Sequence, residues 1–162
     1  MSSEVPPSDV EATIRGAVAH GVSHGYVLAF PCSYVKITSE TPLNTTGVSA
    51  IRVCARFTGI GFHAVTHMDL DAASIVRRVA EAAQALRSFD VLVLYFCGHG
   101  FARAQGAKQY LVAGDGKHID VETIHGVVSQ AVNDTQATNV TLLTLLDCCR
   151  SEDEQRTWSP SW

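Results

Sequence analysis

The stretch Val91-Leu92-Val93-Leu94-Tyr95-Phe96-Cys97-Gly98-His99-Gly100 decides how this chain is read. Its apolar residues run on without alternation. A strand with one wet face alternates, whereas one covered on both faces does not. Residues 89–96 therefore predict a central, buried parallel strand, with Cys97-Gly98-His99-Gly100 at its carboxyl end. Two other runs repeat the pattern. Residues 26–30 (Tyr-Val-Leu-Ala-Phe) are closed by Pro31, and residues 139–146 lead into Asp147-Cys148-Cys149-Arg150. Shorter strands are expected at 62–66 and 109–113, with a glycine-containing loop over 101–108 between the histidine segment and the second of them.

Helical spacing fills the intervals. Ser8 and Glu11 form a capping box ahead of Val10, Ile14, Ala17 and Val18. Val48, Ile51 and Ala55 predict a helix over about 47–58, stopped by Gly59 and Gly61. Asp69 or Asp71 can cap a helix through Ile75, Val76, Val79, Ala80, Ala83 and Leu86, and Asp120 one through Val121, Ile124, Val127 and Val128. Strands alternating with helices predict the α/β class: a mainly parallel sheet flanked by helices on both faces. In such sheets sites form at the carboxyl ends of strands, which is where the His99 and Cys149 segments fall.

The 162 residues, 46% of them hydrophobic, suit one domain with a real core. The expected division is an N-terminal helical extension (1–23), a main domain (24–152) and a tail (153–162). A formal net charge of −4 without a basic cluster argues against a nucleic-acid partner. No apolar run approaches the roughly 18–20 residues of a membrane helix. The polar start MSSEVPPSDVEA is no secretory signal, and five irregularly spaced cysteines fit reduced thiols, so a cytoplasmic setting is expected.

A thiol nucleophile needs a histidine to activate it, donors for the developing oxyanion and backbone that admits substrate. Cys149 supplies a thiol, His99 a base, and the N–H groups of Gly100 and Cys149 an oxyanion hole. Cys32, Cys54, Cys97 and Cys148 read as packing thiols. A zinc site from Cys97, His99, Cys148 and Cys149 lacks the C-x₂₋₄-C spacing of structural sites, and no metal or other cofactor is expected.

The pair LYFCGHG and LLDCCRS resembles the caspase-like cysteine peptidases: caspases, metacaspases, paracaspases and bacterial relatives. The separation of His99 and Cys149, 50 residues, is that of the family. Residues 24–152 resemble its large-subunit portion, in an α/β/α sandwich. The resemblance implies a cysteine endopeptidase with His99 and Cys149 as catalytic pair, Gly100 in the oxyanion hole, and protein or peptide substrates. Asp147 matches an acid that lines the pocket for a basic residue in metacaspases and paracaspases, so cleavage after Arg or Lys is implied. Ser49 falls where metacaspases carry a second pocket acid. The 101–108 loop holds none of the carboxylates that calcium-using members carry there, so no calcium requirement is expected. Only 13 residues follow Cys149, and the family's small-subunit portion is expected to be absent. The last strand would then lie at an open sheet edge, ready for a homodimer or a small-subunit partner. The alternative is a truncated caspase-like domain without independent activity, serving as an interaction or regulatory module or needing a small-subunit portion in trans.

Overall fold

The computed structural model describes residues 24–103 and 108–148. In chain order they form β1 (Gly25–Pro31), α1 (Thr46–Thr58), β2 (His63–Thr66), α2 (Ala72–Ala85), β3 (Val91–Cys97), β4 (Gly100–Arg103), β5 (Lys108–Val112), β6 (His118–Asp120), α3 (Val121–Thr135) and β7 (Thr141–Asp147). The helix expected near residues 10–18 and the tail 153–162 lie outside the described residues. No helix among the described residues is long and apolar enough to cross a membrane.

The main sheet has the order β2-β1-β3-β7, all parallel. Its inner strands are the two apolar runs that lack alternation, β1 and β3, buried nearly throughout. Alternate residues sort to the two faces. Tyr26, Leu28, Phe30, Leu92, Leu94 and Phe96 pack in one core with Ile75, Val79 and Ala83 of α2 and Ile124 and Val128 of α3. Ala29, Tyr95 and Cys97 turn to the other face, against Ala50, Val53 and Cys54 of α1. Helices therefore cover both faces, as the strand patterns require.

The chain runs from β1 outward to β2, then returns past β1 to β3 and on to β7. Right-handed crossovers oblige the connecting helix to change face when the direction reverses. Accordingly α1 lies on one side and α2 with α3 on the other. The reversal sits between β1 and β3, whose carboxyl ends border the crevice where an open α/β sheet usually builds a site.

Two helices begin at their expected aspartates. Asp71 accepts the Ser74 N–H at 2.7 Å, and Asp120 accepts the Glu122 N–H at 3.0 Å. These bonds satisfy amides that a helix start leaves without partners. With the Ser74 hydroxyl also donating, the Asp71 carboxyl is held below its usual range.

The region after His99 differs from the sequence reading. Residues 101–103 and 108 are not loop, and the strand near 109–113 does not join the parallel sheet. Gly100–Arg103, Lys108–Val112 and His118–Asp120 form a separate antiparallel sheet, β4-β5-β6. Its first pair is stapled by Phe101 against Tyr110, with ring centroids 5.1 Å apart. The His118 ring meets Phe101 edge-on at 4.8 Å, and the Arg103 guanidinium lies over both Phe101 and Tyr110. Cross-strand aromatic pairs of this kind hold strands too short to show a period.

Candidate active site

Three strand ends meet in register, with Pro31 beside Cys97 and Cys97 beside Asp147. The pairing continues one step past the strands: Cys32 N–H donates to the Cys97 carbonyl at 2.9 Å, and Gly98 N–H to the Asp147 carbonyl at 3.2 Å. The segment that leads into His99 is thereby fixed to both neighbouring strands.

His99 is held at three points. Its backbone N–H donates to the Tyr34 hydroxyl at 2.7 Å, and its carbonyl accepts the Val112 N–H at 3.0 Å. Its Nε2 lies 2.7 Å from the Thr41 carbonyl oxygen. A carbonyl only accepts, so Nε2 carries the proton and Nδ1 is the basic nitrogen. The Tyr34 ring packs against the imidazole at 4.6 Å, while its hydroxyl donates to the Val112 carbonyl at 2.6 Å. Tyr34 therefore joins the β1–α1 loop, the histidine and β5 through one oxygen.

That loop is itself braced. Tyr34 adopts a positive φ of 59°. Ser33 donates its N–H and hydroxyl to the Asp69 carboxylate at 2.5 and 2.9 Å, and Leu43 N–H donates to the Ser33 carbonyl at 2.8 Å. The two glycines beside His99 are there for space. A Cβ at Gly98 would run into the Tyr34 hydroxyl and crowd the Phe96 ring. At Gly100 it would lie 2.7 Å from Cys148 Sγ and 3.0 Å from the Tyr110 carbonyl oxygen.

Asp147, exposed at the end of β7, points to the α1 side of the sheet, where Tyr95 and Cys97 also lie. The Tyr95 hydroxyl donates to Asp147 Oδ2 at 2.9 Å, and the Cys97 thiol to the same oxygen at 3.4 Å. Ser49, from α1, lies near enough to the Cys97 thiol to favour its ionised form slightly. Sequence positions 49 and 147 are thus linked through Cys97. Burial pushes the Tyr95 phenol and the Cys97 thiol upward, so both stay protonated and act as donors at neutral pH. Burial likewise pushes Cys32 up to about 12. Cys148 turns to the opposite face, in the core beside Gly100. Cys149 lies outside the described residues, and so does its N–H.

Neither Tyr34 nor the Thr41 carbonyl stands out in the sequence. Tyr34 sits in a polar loop with no motif around it, and a backbone carbonyl has no residue-type signature. His99, Gly100, Ser49 and Asp147 do fall at the carboxyl end of the sheet that the strand patterns indicate.

The sequence matches the family model of the caspase domain over residues 24–161. A search of curated proteins gave no match. Among solved structures, the crystal structure of caspase-1 from Spodoptera frugiperda aligns with a TM-score of 0.65 at 18% identity, covering 78% of this chain and 48% of that one. This is a likeness of fold, and the chain spans about half the length of that caspase.

Proposed function

We propose a cysteine-endopeptidase function, with cleavage after Lys or Arg, for this chain, which belongs to the caspase domain family. The observation that carries the reading is His99, fixed through Nε2 to the Thr41 carbonyl with Nδ1 left basic at the sheet's carboxyl end. Cys149 attacks the scissile carbonyl. His99 takes the thiol proton, passes it to the leaving amine, then activates the water that releases the acyl-enzyme. The N–H groups of Gly100 and Cys149 stabilise the oxyanion. The Asp147 carboxylate attracts a basic side chain and repels an acidic one.

The test is a set of fluorogenic peptides ending in Lys, Arg, Asp or norleucine, together with a lysyl chloromethyl ketone. Basic peptides are expected to exceed the Asp peptide by at least about 100-fold in kcat/KM, a carboxylate pair being replaced by a repulsion. The ketone is expected to form one adduct, on Cys149, with Cys32 and Cys97 left unmodified because their thiols stay protonated. Equal rates on all peptides, or an adduct spread over several cysteines, would refute the reading.

A second reading concerns the partner. β7 pairs only with β3 among the described residues, and Leu143 is 43% exposed on it. Such an edge suits strand addition by a second copy or another polypeptide. Light scattering is expected to find a dimer that Leu143→Lys weakens; a native chain monomeric at every concentration would count against it.

A further inference from the structure

Asp147 is held by one oxygen. Its Oδ2 accepts both the Tyr95 hydroxyl and the Cys97 thiol, at 2.9 and 3.4 Å. A carboxylate oxygen offers two lone pairs, so two donors fill it. Among the described residues no donor reaches Oδ1, and the residue is exposed. No second carboxylate relieves this arrangement from the α1 side: α1 carries no acidic residue, and Ser49 stands at its second turn.

We propose that Tyr95 and Cys97 are positioning residues that leave Asp147 a single usable oxygen, and that the site takes lysine in preference to arginine. The proposal rests on the reading of Asp147 as the acid that receives the basic side chain. Arginine owes its usual advantage at a carboxylate to a fork of two parallel N–H···O bonds, one to each oxygen. With Oδ2 filled, the guanidinium makes its contact at Oδ1 alone and its other donors go unmatched. An ammonium is a compact point charge and loses nothing when one oxygen is occupied. Because both donors are buried and stay protonated, the occupation of Oδ2 persists through the neutral pH range.

The experiment measures equilibrium binding of labelled peptides ending in Lys, Arg or norleucine to the full chain carrying Cys149→Ala, so that no cleavage intervenes. The Lys peptide is expected to bind at least about threefold tighter than the Arg peptide. Adding Tyr95→Phe frees one acceptor position on Oδ2 and is expected to move the Lys-to-Arg ratio toward Arg by about fivefold to tenfold, the worth of one charge-assisted hydrogen bond. Cys97→Ser, which keeps a donor, is expected to leave the ratio near native. A ratio is indifferent to the fraction of chain that is folded, so a purely structural role would not move it. A native chain that prefers Arg, or a ratio unmoved by Tyr95→Phe, overturns the proposal while the reading of Asp147 stands. Norleucine binding as tightly as Lys, or no measurable binding of any peptide, overturns that reading and the proposal with it.

Discussion

His99→Ala is expected to lower kcat/KM on the preferred basic peptide by about 10³- to 10⁴-fold, and Cys149→Ala to bring it to the same floor. The imidazole acts in both halves of the reaction: it passes the thiol proton to the leaving amine during acylation and activates the attacking water during deacylation. Its loss also removes the cation that would stabilise a thiolate. The double variant is expected to be no slower than either single one, because two groups that act as a unit lose their joint contribution once. His99→Ala removes no core side chain: the imidazole bonds the Thr41 carbonyl and packs on Tyr34 at the crevice. The variant should therefore melt within a few degrees of the native chain. The measurement is steady-state kinetics beside a melting curve. A His99→Ala enzyme within tenfold of native activity would sink the mechanism, and so would a double variant as slow as the product of the two single losses.

The contrast between Tyr34 and His99 shows where reading the sequence stops. His99 is legible because two glycines flank it at the end of an apolar run and a second such run ends fifty residues later. Tyr34 carries equal structural weight, joining His99 N–H to the Val112 carbonyl through its hydroxyl, yet nothing local marks it. The partners it joins are 65 and 78 residues away, and only the sheet order brings them together. The same limit explains the small antiparallel sheet. Phe101-Ala102-Arg103 and His118-Ile119-Asp120 are too short for a two-residue period to be told from chance. Their pairing depends on Phe101 meeting Tyr110 and His118, contacts made only once the chain has turned. By contrast β1 and β3 were legible to within two residues, because burial on both faces imposes a long apolar run on any sequence that satisfies it; β7 was placed equally well, but its apolar run, expected to be buried, stands at the sheet edge and is only partly covered. Which residues lie on one sheet edge could be read; which backbone atoms complete the site could not.

Asp90→Ala is expected to destabilise the fold more than any single change at the crevice, while leaving the kcat of the molecules that remain folded unchanged. Asp90 lies at the start of β3, at the end of the sheet opposite His99, and is only 2% exposed. Its two oxygens are divided between two backbone donors. Oδ1 accepts the His24 N–H at 3.0 Å, just before β1, and Oδ2 accepts the Arg87 N–H at 2.9 Å, in the turn after α2. Its own carbonyl accepts the Thr141 N–H at 3.0 Å, which opens β7. One residue therefore ties the starts of all three long strands and the exit of a helix. Alanine removes both carboxylate acceptors and leaves two part-buried amides without the acceptor that joins them. Each amide so stranded costs about 1–3 kcal/mol, so a loss of about 3 kcal/mol or more is expected. For a chain of this size that corresponds to a fall in Tm of about 6–12 °C. Asp90→Asn keeps one acceptor oxygen in the same shape and is expected to lose less than half as much. Calorimetry of the three proteins decides it, with kinetics measured well below the lowest Tm. If Asp90→Ala melts within 2 °C of native, the carboxylate is not what joins the strand starts, and the amides must find other acceptors on relaxation.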